Sequence, residues 1–254
     1  MGCGTSYYVA QAFAAAREAN GLGESDAFSA SEMPLQRRYD AVLAISRSGT
    51  TTEVERLLKA TRGQMPSILV TAVPGSPLTD IATTTVVLDF ADESSVVQTR
   101  FATSALTLLR AHLGIDLAAA ISDGEAAVRM DLPFDQALFD HFVFLGLGWT
   151  VGLAHEAALK MEETAGARTE AFSAMEYRHG PVSAAGPRTL AWGIGDVPSS
   201  VLDDVTRTGA CIRRGSLDGM AELILVQRMA LARAVALGRD PDRPPFLTRS
   251  VILD

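Results

Sequence analysis

The sequence contains only two cysteines, Cys3 and Cys211, and no apolar run approaches twenty residues. Two cysteines exclude a disulfide framework and a zinc site built from cysteines. The lack of a long apolar run excludes a membrane-spanning helix, and no signal peptide opens the chain. We therefore expect a protein of the reducing cytoplasm that does not associate with a membrane.

Basic residues, histidines and nucleotide-binding motifs are also scarce. The chain has 22 Lys and Arg against 30 Asp and Glu, which gives a formal net charge of −8. Nucleic acids and anionic membranes bind clustered basic residues, so neither is an expected partner. The four histidines are not spaced in pairs, so no metal site is predicted. The turn GCGTSY lacks the third glycine of a dinucleotide fingerprint, the serine-rich loop lacks a Walker lysine, and no cofactor is predicted.

What the sequence does contain is a series of short β-rich runs that alternate with helical patterns. The runs cover residues 41–46, 67–73, 85–90, 141–148, 189–196 and 210–214. The helical patterns cover residues 8–19, 53–62, 96–113, 153–165 and 217–237. The runs are continuously apolar, as in strands that are covered on both faces. This order predicts an α/β fold with parallel sheets.

Residues 114–133 interrupt the alternation of β-rich runs and helical patterns. Gly and Pro bound this segment, which divides the chain into two similar halves. The turns at residues 4–6 and 146–148 would then be equivalent. The first of these turns normally follows a strand that this sequence does not contain, so the first half is predicted to be truncated at its N-terminus. The predicted units are a first subdomain, a second subdomain and a tail, at residues 1–118, 135–238 and 239–254.

Prolines exclude a helix in the tail, and its apolar end predicts that the tail folds back onto the body of the protein.

A loop rich in hydroxyl residues separates an apolar run from a helical pattern in AISRSGTTTEVERLL, residues 44–58. Ser46, Ser48, Thr50 and Thr51 therefore lie between the C-terminal end of a strand and the N-terminus of a helix. Unpaired backbone N–H groups and the positive end of the helix dipole at this place suit a phosphate monoester. Thr50 also forms a capping-box pattern with Glu53, so hydroxyls that only cap the helix are the alternative.

Three charged residues share one face of the predicted helix over residues 153–165. Glu156, Lys160 and Glu163 stand at i, i+4 and i+7. The ordinary interpretation of such spacing is an exposed Glu–Lys pair. The other faces of this helix are small or apolar, which predicts a largely buried helix and a functional role for the three charges.

Five motifs, in the order GCGTS, SRSGTT, EAALKMEE, EYRHGP and LTRSV, resemble the SIS (sugar isomerase) family, in particular the isomerase half of the glucosamine-6-phosphate synthases. The resemblance implies two SIS subdomains, each a parallel sheet with helices on both faces in a flavodoxin-like or Rossmann-like three-layer sandwich. It also implies a small sugar phosphate as ligand and a homodimer whose active site is shared between subunits. The glutaminase half of the synthases does not occur in this sequence.

The resemblance implies two sets of ligand-binding residues. The phosphate is expected to bind to Ser46, Arg47, Ser48 and Thr51. The sugar is expected to bind to Thr5, Ser6 and Gln98. The family carries a serine at the position of Gln98, so this contact is expected to have a different reach.

The resemblance also implies the catalytic groups. Glu163 is expected to move a proton between C1 and C2 of the sugar, and His179 to open the ring, reaching across from the partner subunit. Glu156 and Lys160 are expected to orient the site. Arg249 replaces a tail lysine that forms a Schiff base in the synthases. An arginine stays protonated and cannot form an imine, but it can polarise a carbonyl or hold an enediolate.

The predicted function is that of a phosphosugar isomerase or an amino-sugar-phosphate deaminase, acting on a 6-phosphorylated hexose through an enediol. Deamination is the slightly favoured direction. The alternative is a non-catalytic sugar-phosphate sensor, which would not need Glu163 and His179. A purely structural dimer would leave the hydroxyls unexplained.

Overall fold

The computed structural model of the protein describes residues 1–253 and contains two separate parallel sheets. The first comprises, in the order β1-β2-β3, the strands β1 (Val42–Ile45), β2 (Ser67–Thr71) and β3 (Thr84–Val87). The second has the order β5-β4-β6-β7 and comprises β4 (His141–Gly146), β5 (Arg168–Ser173), β6 (Thr189–Ile194) and β7 (Cys211–Arg214). Every strand pair is parallel, so each connection must cross over the sheet.

Seven α-helices accompany these strands in residues 1–253. They are α1 (Thr5–Ala19), α2 (Thr52–Thr61), α3 (Arg100–His112), α4 (Ala118–Arg129), α5 (Thr150–Ala165), α6 (Ser199–Thr206) and α7 (Gly219–Ala236). The α/β fold class with parallel sheets flanked by helices, which the sequence predicts, is confirmed.

One apolar core connects the two sheets. β4 is buried at every position and lies in the interior of the second sheet. Against β4 packs α5, which also contacts α1 and α7. Ile45 and Val70 of the first sheet belong to the same buried cluster as Phe144 and Leu153 of the second half. Helix α5 therefore joins the first half of the chain to the second.

Three elements, α4, β5 and α6, are missing from the sequence prediction. α4 occupies most of residues 114–133, which are predicted to be an irregular boundary. This alanine-rich segment is helical because α7 packs along it, and Arg228 Nη1 donates to Ala127 O at 2.7 Å. β5 is a half-buried edge strand, so its sequence lacks the continuous apolar run of an interior strand.

Met1 lies alongside β1 in the manner of a parallel strand. Its amino group donates to Leu43 O at 2.6 Å, and Ile45 N donates to Met1 O at 3.0 Å. Because α1 begins shortly afterwards, at Thr5, its N-terminus lies at the C-terminal edge of the first sheet. The N-terminus of α2 lies at the same edge.

Candidate active site

The hydroxyl loop, defined as residues 46–51, connects β1 to α2 at this edge. Gly49 has a φ of 63°, and a Cβ at this position would lie 1.9 Å from the hydroxyl oxygen of Ser76, so the path of the loop requires glycine. Thr51 is the N-cap of α2, but its side chain makes no capping hydrogen bond. The structure thus disfavours the alternative in which the hydroxyls only cap the helix.

The hydroxyl groups of the loop lie close to one another. Ser46 Oγ is 3.4 Å from Thr51 Oγ1, and Ser48 Oγ accepts a hydrogen bond from Thr50 Oγ1 at 3.0 Å. Ser46 and Ser48 are buried. The loop also adjoins the first N–H groups of α2, which have no partners within the helix, and the positive end of its dipole. Hydroxyl and N–H donors are therefore concentrated at one point, as a tetrahedral oxyanion requires.

Lys160 is the centre of a charged cluster on α5, which we call the Lys160 cluster. Its Nζ donates to Thr5 Oγ1 at 2.8 Å and to Glu163 Oε2 at 2.5 Å, and it lies 3.4 Å from Glu156 Oε1. The contact with Thr5 requires α1 and α5 to pack closely. Gly152 permits this, because a Cβ there would lie only 2.6 Å from backbone atoms of α1. The cluster thus links the N-terminus of α1 to the interior of α5.

The members of the Lys160 cluster differ in their access to solvent. The side chains of Glu156 and Lys160 are both 1% exposed, whereas that of Glu163 is 22% exposed. Glu163 Oε2 accepts from Lys160, and Oε1 has no hydrogen-bond partner within residues 1–253. Glu163 is therefore the member that a ligand can contact directly.

Burial and charge shift the pKa values of the two buried members. Burial raises the pKa of Glu156 to about 7, although Lys160 opposes the shift. Neither carboxylate oxygen of Glu156 makes a well-aligned hydrogen bond in the part of the chain described. Burial disfavours the charged form of Lys160, but Glu156 and Glu163 outweigh burial and raise its pKa. Lys160 is thus a cation at neutral pH, whereas Glu156 titrates near neutrality.

The hydroxyl loop lies within electrostatic range of the Lys160 cluster. Burial lowers the pKa of Arg47 in the loop, and Arg249 adds to this effect. Glu93, Asp92 and Glu163 act in the opposite direction. Glu163 is therefore close enough to act on the charge of Arg47, although the two lie more than a hundred residues apart in sequence.

The residues predicted to face the sugar differ in their surroundings. Thr5 and Ser6 are buried in the first turn of α1. Gln98 lies shortly before α3, and its Oε1 is buried with no hydrogen-bond partner among the residues described. A buried acceptor without a donor is costly, so Gln98 is suited to accept a hydrogen bond from a ligand or a water molecule.

His179 makes no hydrogen bond or ion pair with the other predicted site residues in the described part of the chain. It is exposed in a short 3-10 turn, Glu176–His179, which follows β5. No hydrogen bond or ion pair joins it to another residue between positions 1 and 253. Its predicted contribution from a partner subunit remains a prediction.

The two arginines predicted at the site direct their guanidinium groups to other partners. Arg47 donates to the backbone carbonyls of residues 95 and 96, both at 2.9 Å. Arg249 donates to the carboxylate of Asp92 and to the carbonyl of Glu93. Neither guanidinium bonds to a hydroxyl of the loop or to the Lys160 cluster in the described chain, so their predicted roles remain predictions.

Glu93 is a residue of this region that the sequence motifs do not reveal. Its carboxylate accepts hydrogen bonds from the backbone N–H groups of Thr99, Arg100 and Phe101, and so caps α3. It also lies 3.9 Å from Arg47 Nη1. An acidic residue shortly before a helix is the available sequence signal. The fold of the intervening segment, which brings Glu93 onto the helix end, has no such signal.

Three observations concern metals, membranes and thiols. Among residues 1–253, no group of three or more His, Cys, Asp or Glu side chains is placed to hold a metal ion. None of the helices in the same range combines the length and the apolar sequence that crossing a membrane requires. Cys3 and Cys211 are both free thiols.

Comparison with known proteins gives a family match and a partial match to longer proteins. Residues 1–113 match the model of the SIS domain. The chain is 26% identical over 265 residues to a glutamine–fructose-6-phosphate aminotransferase (isomerizing) from Thermococcus kodakarensis. That match covers 84% of this chain and 44% of the relative, so the chain spans less than half the length of the curated relative.

Two solved structures share the fold over nearly the whole chain. Glucosamine-6-phosphate deaminase from Thermotoga maritima has a TM-score of 0.87 at 24% identity, covering 99% of this chain and 89% of its own. The C-terminal domain of glucosamine-fructose-6-phosphate aminotransferase from Francisella tularensis has a TM-score of 0.75 at 19% identity, covering 96% and 85%. The resemblance predicted from the motifs is therefore confirmed: residues 1–113 match the SIS domain, and the chain as a whole shares the parallel α/β fold of these two structures.

Proposed function

We propose that the chain is an enzyme that converts a 6-phosphorylated 2-amino hexose into the corresponding ketose and ammonia, by proton transfer between C2 and C1. The observation that carries this proposal is the partly exposed Glu163 carboxylate, which buried Lys160 holds within electrostatic range of Arg47 in the hydroxyl loop. A base that reaches two adjacent carbons and an anchor for the phosphate are the requirements of aldose–ketose chemistry. The names of the similar proteins, a glucosamine-6-phosphate deaminase and an aminotransferase of fructose 6-phosphate, support this substrate class.

The hydroxyl loop is the proposed phosphate anchor. Ser46, Ser48 and Thr51 supply hydroxyl donors, and the N-terminus of α2 supplies N–H groups and a positive dipole end. The net charge of −8 opposes the approach of a phosphate, so the affinity must come from these local donors. A phosphate fixed here limits the positions that C1 and C2 can take.

Glu163 is the proposed base. It removes the C2 proton of the open-chain 2-amino aldose and returns a proton to C1, while O1 gains a proton and the amine loses one, which leaves an imine at C2. Hydrolysis of the imine consumes one water molecule, releases ammonia and leaves the ketose phosphate. Lys160 holds the Glu163 carboxylate in place at 2.5 Å. Glu156, on the other side of Lys160, titrates near neutrality and can exchange a proton when the charge of the cluster changes.

The proposed working unit is a homodimer in which His179 of one copy opens the sugar ring in the site of the other. The exposure of His179 and its lack of partners among residues 1–253 support this arrangement. In the same proposal the sugar contacts Thr5, Ser6 and Gln98. The proposed units of the chain are the two SIS subdomains and the tail, at residues 1–118, 135–238 and 239–254.

The test is incubation of the purified chain with glucosamine 6-phosphate in D₂O, with the C1 and C2 protons and free ammonia followed by NMR. We expect exchange and ammonia release, and a loss of rate of about 10²–10⁴-fold in Glu163→Gln. Glu162→Gln is the matched control, because Glu162 is exposed and accepts a hydrogen bond from Thr169 at 2.7 Å. Fructose 6-phosphate with ammonia tests the reverse direction.

The same experiment distinguishes the enzyme from the sensor. Thermal stabilisation by the sugar phosphate without any exchange would favour the non-catalytic sensor. Equal rates of exchange and ammonia release in Glu163→Gln and the unmodified chain would show that Glu163 is not the base.

A further inference from the structure

Arg47 is buried inside the hydroxyl loop, with its side chain only 1% exposed. A buried arginine needs acceptors for its N–H donors. Nη1 donates to Ser95 O and Nη2 to Val96 O, both at 2.9 Å. Nη2 also donates to Arg249 O at 3.3 Å. All these acceptors are backbone carbonyls of other segments, and none belongs to the loop itself.

These contacts leave the guanidinium of Arg47 poorly placed to bind a phosphate. Bidentate recognition of a phosphate uses two N–H groups of one guanidinium edge, and both Nη atoms of Arg47 already donate elsewhere. Within residues 1–253, Nε is the nitrogen of this side chain that has no partner. The charge of Arg47 is also partly balanced by the carboxylate of Glu93 at 3.9 Å.

The carbonyls that Arg47 binds belong to two segments, the residues before α3 and the tail. The tail then continues along the hydroxyl loop and the start of α2. Thr50 Oγ1 lies 3.0 Å from Ser250 Oγ, and Thr52 N donates to Val251 O at 3.2 Å. The second contact occupies one of the N–H groups at the N-terminus of α2. The position of the tail therefore affects how much of that N-terminus is open to an anion.

We infer that Arg47 is a positioning residue, which fixes the tail and the segment that carries Gln98 against the hydroxyl loop, rather than a phosphate ligand. A side chain that donates to both segments holds them at a set distance from the loop. The part of the inference that concerns anion affinity rests on the proposed phosphate site. The part that concerns the tail does not.

Arg47→Lys separates the two roles, because lysine keeps the charge but cannot donate from two nitrogens to separate carbonyls. The measurement is hydrogen–deuterium exchange of the full chain over residues 95–98 and 249–253. We expect exchange in both segments to rise by at least about 10-fold in Arg47→Lys and Arg47→Met, as the loss of a charge-assisted hydrogen bond implies. Arg37→Met is the matched control, because Arg37 is exposed and pairs with Asp26 at 2.8 Å.

Unchanged protection of both segments in folded Arg47→Lys would overturn the inference. Titration with inorganic phosphate gives the second readout. A positioning role predicts that Arg47→Lys and Arg47→Met bind phosphate equally, whereas normal binding by the lysine variant and loss of binding by the methionine variant would assign Arg47 to the phosphate. If Arg47→Met does not fold, hydrogen–deuterium exchange of residues 249–253 in Arg47→Lys still tests the positioning role. If the unmodified chain does not bind phosphate, the proposed site fails while the exchange result stands.

Discussion

The turns that open α1 and α5 occupy similar places in the two halves of the chain, yet their threonines make different contacts. Thr5 Oγ1 accepts from Lys160 Nζ at 2.8 Å, a residue of the other half. Thr150 Oγ1 accepts from Leu147 N at 2.9 Å and lies 2.8 Å from Ile194 O, so its hydroxyl is satisfied within its own half. The threonine of the first turn therefore contacts the Lys160 cluster, whereas the threonine of the second turn contacts only residues of its own half.

The difference shows how two similar halves divide the work of one site. The first half contributes the hydroxyl loop and the N-terminus of α2, where Thr51 makes no capping hydrogen bond. The second half contributes α5, which carries Lys160 and Glu163. Neither half alone contains both the proposed phosphate donors and the proposed base, so the packing of α1 on α5 would complete the proposed site. The following substitutions test this division, in order of decreasing effect.

Lys160→Met is expected to cost about 3–5 kcal/mol of unfolding free energy, because it leaves the buried Glu156 without its cation. Urea denaturation at pH 8 measures the effect. The control is Lys59→Met, because Lys59 is exposed and pairs with Glu55 on the surface of α2, where a loss below about 1 kcal/mol is expected. Similar losses in the two variants would contradict a structural role for the cluster.

Glu156→Gln is expected to change the pH dependence of stability. The pKa of Glu156 is about 7 in the folded chain and 4.5 ordinarily, so the folded state holds the proton more tightly. The stability of the unmodified chain should therefore fall as the pH rises from 4.5 to 7, by up to about 1.4 kcal/mol per pH unit. In Glu156→Gln this contribution disappears. Denaturation curves across this range that keep the same slope in both proteins would refute the assignment.

Thr150→Ala is expected to cost about 1–3 kcal/mol, because Leu147 N and Ile194 O lose their buried partner. It should leave the affinity for the sugar phosphate unchanged, whereas Thr5→Ala should weaken that affinity. Urea denaturation and calorimetric titration measure the two effects. Weakened binding in Thr150→Ala, with unchanged binding in Thr5→Ala, would reverse the comparison between the two turns.

Thr51→Ala is expected to have the smallest effect on stability. Loss of an N-cap side chain usually costs about 1 kcal/mol, but the side chain of Thr51 makes no capping hydrogen bond. We expect a change of only a few tenths of a kcal/mol, together with weaker binding of inorganic phosphate. A full capping loss with unaltered phosphate binding would restore the interpretation of the loop as a helix cap.

Much of the fold follows from local patterns in the sequence. The continuous apolar runs predict β1, β4 and β6 closely, because strands buried on both faces carry no polar alternation. The edge strand β5 and the helix α4 are not predicted, because neighbouring elements stabilise them more than their own sequence does. At the site, the spacing of the three charges on α5 predicts their common face, but it does not predict that Glu156 is buried without an aligned partner.

The sequence by itself determines the order of strands and helices, the place of the hydroxyl loop between β1 and α2, and the common face of the charged residues on α5. These features depend on backbone geometry and periodicity over a few residues. Only the tertiary structure decides that Lys160 meets Thr5, that Arg47 turns to backbone carbonyls, and that the tail lies along α2. Such contacts join segments far apart in the chain, and they depend on how closely whole elements pack, which no local pattern encodes.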